Sequence, residues 1–347
     1  MKKILITGAN GFIGSHLIDF LIKKNLLIYG LDLPGIYFKN LSHYIASESN
    51  STELKKLKFL EKYIQIPTNV NNLKLIECDL KNKNLLEEII KKIKPKYIFH
   101  FGAQPLIGPS WENPAETIEA NVIGTINIFE PVKNNKIKTR IIVACTSTEF
   151  GTTAKIGRPL KETDPLMAIH PYGISKIAAE LLARQYYINF GIDSVVLRFF
   201  NQTGPRKKAG AAAEFTRKVA EIDSGIREST IEVGNLDSYR DFTGIKDTTQ
   251  AIWLAAKKGN PGETYHVCSN RKTQIRELLQ IALGFSNKKI KVIDHVSDKM
   301  RKFDEDIIIG DNSKIRNELG FKITQPIEEV LKEMYDYWID FYMKNKN

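Results

Sequence analysis

Cysteine is scarce in this chain: Cys78, Cys145 and Cys268 are the three in 347 residues, far apart and without CxxC or Cys/His ligand spacing. That excludes a disulfide framework and gives no sign of a metal site, so a reducing, cytoplasmic setting is expected. Long apolar runs are lacking too. Met1-Lys2-Lys3 followed by Ile4-Leu5-Ile6-Thr7 begins like a signal peptide, but Gly8, Asn10, Gly11 and Gly14 break the run. No other stretch approaches the roughly 20 apolar residues that a bilayer span needs, so no membrane partner is expected. Linkers, heptad arrays and internal repeats are also missing.

Negative charge is in deficit: 51 Lys and Arg against 40 Asp and Glu leave a formal +11. Such a surplus suits nucleic acid or polyanionic metabolites such as nucleotide diphosphates. Much of it is lysine in Asn/Lys-rich helical stretches such as 81–96, with no interleaved aromatic residues. The expectation is therefore a solvated lysine-rich surface and no nucleic-acid partner.

What is present is an alternation. Apolar, strand-like runs at 3–7, 26–33, 73–78, 97–102 and 141–146 are separated by amphipathic stretches. This pattern predicts an α/β fold, a Rossmann-type doubly wound parallel sheet. The polar stretch 42–72 is longer than an ordinary crossover and predicts an inserted helix and loop. A further strand at 194–199 returns to the sheet. From Asn201 the texture changes to loops, short strands and helices, which predicts a nucleotide-binding domain over 1–200. A smaller C-terminal substrate-binding lobe over 201–347 would return some segments to the core.

Gly8-Ala9-Asn10-Gly11-Phe12-Ile13-Gly14 follows the first strand and opens a helix. In that context small residues let the backbone approach a pyrophosphate, whose charge suits the helix N-terminus. The GxxGxxG spacing differs from the GxGxxG of many dehydrogenases. Asp32 ends the second strand, where a carboxylate accepts hydrogen bonds from adenosine ribose hydroxyls and repels a 2′-phosphate. No arginine follows it in Leu33-Pro34-Gly35-Ile36-Tyr37, so NAD(H) is favoured over NADP(H). Asp79 is placed either to meet the adenine edge or to cap the next helix.

His170-Pro171-Tyr172-Gly173-Ile174-Ser175-Lys176 begins a helical run that puts Tyr172 and Lys176 on one face, a turn apart. A free tyrosine, with a pKa of about 10, is a poor base at neutral pH. A neighbouring ammonium and an oxidised nicotinamide both favour its phenolate. Thr146, closing the preceding strand, offers a hydroxyl to the substrate oxygen that Tyr172 would protonate or deprotonate.

The glycine loop, Asp32, Asp79, His100-Phe101-Gly102-Ala103, Asn121-Val122-Ile123-Gly124-Thr125, Thr146 and the Tyr172/Lys176 pair together resemble the extended short-chain dehydrogenase/reductase family over nearly the whole chain. The resemblance implies catalysis by Thr146, Tyr172 and Lys176. It implies an NAD(H) site formed by Gly8, Asn10, Gly11, Phe12, Ile13, Gly14, Asp32, Asp79, Leu80, Phe101, Gly102, Ala103 and Asn121 with Tyr172 and Lys176. It also implies a homodimer, paired through the helix after Ala115 and the helix carrying Tyr172.

In the second half, Phe200-Asn201-Gln202-Thr203-Gly204-Pro205-Arg206, Val233-Gly234-Asn235-Leu236-Asp237-Ser238-Tyr239-Arg240-Asp241-Phe242 and Gly310-Asp311-Asn312-Ser313-Lys314 resemble the GDP-mannose 4,6-dehydratase and GDP-4-keto-6-deoxymannose reductase branch. The resemblance implies a GDP-linked hexose or heptose substrate, with contacts from Gln104, Thr148, Asn201, Arg206, Arg217, Asn235, Arg240, Arg301 and Asp304. Arg240 and Arg301 have planar forks suited to a diphosphate, and Asp304 can accept from ribose hydroxyls.

Dehydratases of this branch carry an acidic residue two positions after the threonine. Here that position is Thr148; Glu149 follows and, if the strand continues, points to the other face. The expectation is C4 redox chemistry, as 4-keto reductase or 4-dehydrogenase. The alternatives are a dehydratase or epimerase that recycles its hydride, and an idle NAD or nucleotide sensor on the same fold.

Overall fold

The computed structural model describes residues 1–46, 65–296 and 307–344. Its central element is an eight-stranded sheet built on seven strands of the first two hundred residues: β1 (Lys2–Thr7), β2 (Leu26–Asp32), β3 (Gln65–Ile66), β4 (Leu73–Glu77), β5 (Tyr97–His100), β6 (Arg140–Thr146) and β7 (Asp193–Phe199). The eighth strand, Thr264–Val267, lies beside β7, and the order runs from it through β7, β6, β5, β1, β2 and β4 to β3. The pairs β4–β2, β2–β1, β1–β5 and β5–β6 are parallel. Six strands thus appear where the apolar runs placed them, each within a residue or two of the expected ends. The strand order of this doubly wound α/β sheet reverses between β1 and β5, the topological switch point where such folds hold ligands.

The helices between the strands follow from sequence spacing. α1 (Phe12–Leu21) buries Leu17, Ile18 and Leu21. α2 (Lys83–Ile93) buries Leu86, Ile89, Ile90 and Ile93, one stripe at helical period, and turns its lysines outward. Its cap is Asn82, whose side chain accepts from the Leu85 amide at 3.1 Å. Asp79, considered above as a capping residue, instead accepts from the Lys81 amide at 2.9 Å and shapes the turn before the helix. After α3 (Ile107–Glu112) comes α4 (Pro114–Ile118), then one π-helical turn over Glu119–Ile123, then α5 (Gly124–Asn134). α6 (Pro171–Phe190) starts with proline at its first position and stops at Gly191, which takes φ +65. One core cluster joins Leu5, Ile76, Ile98, Phe129, Ile141 and Val196.

In the long stretch after β2, the described residues form a 3-10 turn over Lys39–Tyr44 and the strand β3, antiparallel to β4. The rest of the expected insertion, 47–64, lies outside the described residues.

The chain forms two compact units: Met1–Glu149, Leu166–Arg198 and Ala251–Tyr265 in the first, and Phe150–Pro165, Phe199–Gln250 and His266–Asn347 in the second. A single cut at residue 200 therefore differs from the observed division in two places. Residues 251–265 end in the strand beside β7. Leu160 exchanges backbone bonds with Ile309 and Asp311, both at 2.8 Å, which ties its segment to the second unit.

The second unit has its own core, including Phe215, Val219, Leu278, Leu331 and Met334. Its loops converge on Asp241, which is wholly buried. The carboxylate accepts from the Ser269 amide at 2.6 Å and hydroxyl at 2.7 Å, the Asn270 amide at 2.9 Å and the Gly310 amide at 3.3 Å. Burial, opposed by these donors, raises its pKa to about 6. Asp241→Asn would point amide hydrogens at backbone N–H groups, of Ser269 on one side or of Asn270 and Gly310 on the other, which can only donate. It should lower stability by about 2–3 kcal/mol, read as an earlier thermal transition; an unchanged melting curve would contradict the assigned role.

Candidate active site

The glycine loop sits at the end of β1. Gly8 has φ +68, and a Cβ there would lie 2.7 Å from the Gly102 nitrogen, just beyond β5. A Cβ on Gly14 would lie 2.1 Å from the Gly8 carbonyl oxygen, so α1 can start this close to the strand only with glycine at that position. Gly11 is the N-cap and offers no side-chain acceptor to the first turn. The partial positive charge of that helix end suits a phosphate.

Asp32, at the end of β2, lies beside the glycine loop. Its carboxylate accepts from the Asn10 amide at 2.7 Å and the Leu33 amide at 2.9 Å, and burial raises its pKa against the pull of those two donors. Asn10 in turn accepts two hydrogen bonds from Asn40, from its amide to Oδ1 at 2.8 Å and from its Nδ2 to the Asn10 carbonyl at 2.6 Å. Sequence reasoning missed Glu77, the register partner of Asp32 across β2 and β4, which accepts from the Gly35 amide at 3.1 Å. Two carboxylates therefore share this edge. The glycine turn, the helix N-terminus and a ribose-accepting carboxylate fit a dinucleotide.

A hydroxyl and imidazole chain runs beneath the loop. Thr7 Oγ1 meets His100 Nδ1 at 2.9 Å, His100 Nε2 meets Thr125 Oγ1 at 3.0 Å, and the Gly102 amide donates to Thr7 Oγ1 at 3.0 Å. Phe101, Gly102 and Ala103 line the exit of β5 as half-buried residues. Leu80 packs against Gly102 and Gly124.

Asn121, expected at the cofactor, lies in the π-helical turn and is almost wholly buried. Its Oδ1 accepts from the Gln104 amide at 2.7 Å, and its Nδ2 donates to Gln104 O at 3.1 Å and Ser175 Oγ at 2.9 Å. Ser175 Oγ donates to Tyr172 O at 2.7 Å. Asn121 thus braces the Gln104 loop against the helix that carries Tyr172. Gln104, expected at the substrate, bonds within its own surroundings: its Nε2 donates to Leu106 O and Thr117 Oγ1, both at 3.0 Å.

Thr146, Tyr172 and Lys176 lie together in the first unit. Lys176 is buried on α6 and donates from Nζ to the Ala144 carbonyl at 2.9 Å; burial holds its amine below the usual lysine range. Tyr172 is pushed above the usual phenol range by burial first and by Glu149 and Cys145 next, while a hydrogen bond with Thr146 opposes the rise. The His170 ring caps α6, its Nδ1 accepting from the Gly173 amide at 2.9 Å, and runs nearly parallel to the Tyr172 ring at 12°.

The end of β6 corrects one expectation. The strand does not continue past Thr146 but closes in a 3-10 turn over Ser147–Glu149. Glu149 is therefore not presented on the opposite strand face. It curls inward, wholly buried, and accepts from the Thr146 amide at 3.0 Å. Thr148 keeps its hydroxyl 3.3 Å from that of Thr146. Cys145, Glu149 and Glu180 have metal-like spacing, but Arg198 already supplies a cation beside both carboxyl groups.

In the second unit, Asn201 donates from Nδ2 to Asp241 O at 3.1 Å, and Asn235 accepts from the Asp237 amide at 2.8 Å. Arg240 is buried and donates to Tyr239 O at 2.8 Å. Arg217 pairs with Glu221 at 3.4 Å, and Arg206, at φ +68, acts electrostatically on Tyr337. Arg301 and Asp304 lie outside the described residues. The three cysteines are buried and unbonded to one another. Among the described residues no helix is long and apolar enough to cross a membrane.

A parallel sheet of this order, with a glycine loop at the switch point and Thr146, Tyr172 and Lys176 gathered in one unit, defines an extended short-chain dehydrogenase/reductase. The profile of the GDP-mannose 4,6 dehydratase family matches residues 5–334, and the chain belongs to that family. It is 28% identical to a GDP-mannose 4,6-dehydratase of Yersinia enterocolitica, over 96% of this chain and 93% of that one. It is 26% identical to a GDP-6-deoxy-D-mannose reductase of Pseudomonas aeruginosa, over 97% of each. The structure of RMD from Pseudomonas aeruginosa complexed with NADPH superposes with a TM-score of 0.79 at 22% identity, covering 98% of this chain and 100% of that one.

Burial first, and the charge of Lys176 next, lower the pKa of His100 from 6.5 to about 3. The folded chain thus keeps His100 neutral where the unfolded chain takes up a proton. Its stabilising contribution is full above pH 6.5 and is lost as pH falls toward 3, by up to ~1.4 kcal/mol per unit. The wild type should lose melting temperature across this window more steeply than His100→Gln. Equal acid slopes would contradict the coupling.

Proposed function

We propose that this chain is an NAD(H)-dependent oxidoreductase that acts at C4 of a GDP-linked hexose or heptose, as a 4-keto reductase or 4-dehydrogenase. The GDP-sugar class is supported by family membership and by the names of both relatives. The redox reading is carried by the end of β6. Two positions after Thr146 stands a threonine, and the adjacent carboxyl group of Glu149 is turned into the core. A dehydratase needs a base beside the transient ketone to remove a proton, and a hydroxyl is too weak a base for that.

Gly8, Asn10, Gly11, Phe12, Ile13 and Gly14 would hold the pyrophosphate, and Asp32 the adenosine ribose. The nicotinamide, when bound, supplies the hydride acceptor or donor. Tyr172 takes or returns the C4 hydroxyl proton while Thr146 hydrogen-bonds the same oxygen. Lys176, anchored on Ala144 O, contributes the positive charge that favours the phenolate. The nucleotide half of the substrate falls to Asn201, Arg206, Arg217, Asn235 and Arg240.

Glu77 strengthens the preference for NAD(H), since a 2′-phosphate would meet two carboxylates where one was expected. Asp32→Ala should narrow the preference for NADH over NADPH by about tenfold, equivalent to ~1.4 kcal/mol. Equal binding of both cofactors by the wild type would overturn this part.

Homodimerisation is proposed through α6, which exposes Ile174, Leu181 and Ile188 at seven-residue spacing, and through exposed Ile118 and Ile123. Leu181→Glu should convert a dimer to monomer in light scattering. A wild-type monomer would refute it.

A second reading, dehydration with the hydride recycled, is favoured by the family description and the Yersinia relative. Incubation with NAD(H) and a panel of GDP-sugars and GDP-4-keto-sugars separates the two. The proposed redox enzyme changes nicotinamide absorbance in step with product. A product lighter by one water, with no net change in cofactor, would establish the dehydratase. Tyr172→Phe should lower kcat by roughly 10²- to 10⁴-fold; wild-type turnover would show that Tyr172 does not transfer the proton.

A further inference from the structure

Two carboxyl groups and one guanidinium are buried together behind the end of β6, and the chemistry proposed so far uses none of them. Arg198 on β7 forks Glu180 on α6, Nε to Oε2 at 2.8 Å and Nη2 to Oε1 at 2.6 Å, the geometry of a bidentate pair. Glu180 also accepts from Thr264 Oγ1 at 3.1 Å. The approach of Arg198 to Glu149 is looser, with Nε 3.4 Å from Oε2. Glu149 Oε2 is buried without a hydrogen-bond partner of its own among the described contacts. The one positive charge in the cluster is thus matched by Glu180, and a second negative charge at Glu149 would be buried with no equal partner.

Of the remaining titratable groups that act on this cluster, Lys176 is the one whose charge favours an ionised Glu149. Cys145 is a buried thiol raised well above its usual range, Tyr172 is a phenol, and Lys176 directs its ammonium to Ala144 O. Burial and Glu180 push the Glu149 carboxyl well above the carboxylate range, with Arg198 and the Thr146 amide opposing them.

We propose that Glu149 is a positioning residue that works as an uncharged carboxyl group. Its Oε1 accepts the Thr146 amide and fixes the turn that aims the Thr146 hydroxyl, and its neutrality keeps a second negative charge away from the Tyr172 phenolate. This rests on the reading of Thr146 and Tyr172 as the groups at the reacting oxygen. The turn is otherwise lightly held: the Thr148 amide reaches Thr146 Oγ1 only at 3.3 Å. Without Glu149 the Thr146 amide would be left buried and unmatched, and the strand end would lose the contact that curls it. With Glu149 charged, the phenolate of Tyr172 would be harder to form.

Glutamine copies the shape and neutrality of a protonated glutamate, accepting from Thr146 and donating toward Glu180. Glu149→Gln should therefore keep kcat within about threefold of the wild type and leave the midpoint of the alkaline activity limb in place. Glu149→Ala should lose about ten- to a hundredfold in kcat with KM changed less than about threefold. Infrared difference spectra of wild type against Glu149→Gln, both with bound cofactor at neutral pH, should show a carboxylic-acid carbonyl band that only the wild type has.

A missing band, or a Glu149→Gln midpoint about a unit lower, would mean that the wild-type residue is charged and would overturn the proposal. So would wild-type kcat in a folded Glu149→Ala. If the alanine variant does not fold, the infrared and glutamine comparisons still decide. Wild-type turnover by Tyr172→Phe would instead refute the underlying reading of Tyr172 as the group at the reacting oxygen, and the infrared band does not depend on that result.

Discussion

At the C-terminal ends of β1 and β5, two backbone segments approach so closely that the Gly8 position cannot carry even a Cβ, which would lie 2.7 Å from the Gly102 nitrogen. Much of the first unit's site follows from this contact. It sets where α1 begins, and hence where a helix N-terminus meets an anion. It also brings Thr7 to the Gly102 amide, and Thr7 in turn fixes His100 and through it Thr125. The loop that would hold a cofactor and the buried polar chain beneath it are thus one packed arrangement.

A second buried arrangement governs the reacting end. Arg198, Glu180 and Glu149 lie behind β6, and Lys176 is tethered to the β6 backbone at Ala144. These contacts tie β6 and α6, which carry Thr146, Tyr172 and Lys176, to β7, which carries Arg198. Tyr172 lies above its usual range in this surrounding, so the proposed proton transfer through it would depend on nearby positive charge.

Much of this was legible in the sequence because the signals are local. Apolar runs announce buried parallel strands, and glycine spacing, the Tyr172/Lys176 spacing and the Thr146 strand end are short-range patterns. What escaped depends on distant partners. Glu77 matters through its register with Asp32 across two strands, and the burial of Glu149 depends on Arg198 and Glu180, tens of residues away. The 3-10 turn after Thr146 has no periodic signature in so short a stretch. The bonds from the Asn121 side chain to the Gln104 backbone, across seventeen residues, also have no signal in the sequence. The division near residue 200 allowed for later segments returning to the core but gave no sign that residues 150–165 group with the second unit, because neighbours are set by topology and not by chain order.

Family membership defines the scaffold, and the proposed choice of redox chemistry over dehydration rests on a threonine where an acid would serve dehydration. Transfer of a C4 label tests that distinction most directly. A GDP-sugar deuterated at C4, turned over once with NAD, should give up its deuterium to the released nicotinamide and yield a 4-keto product of otherwise unchanged composition. Deuterium retained in the sugar, with the cofactor returned to its starting state, would contradict the account and identify an enzyme that recycles its hydride.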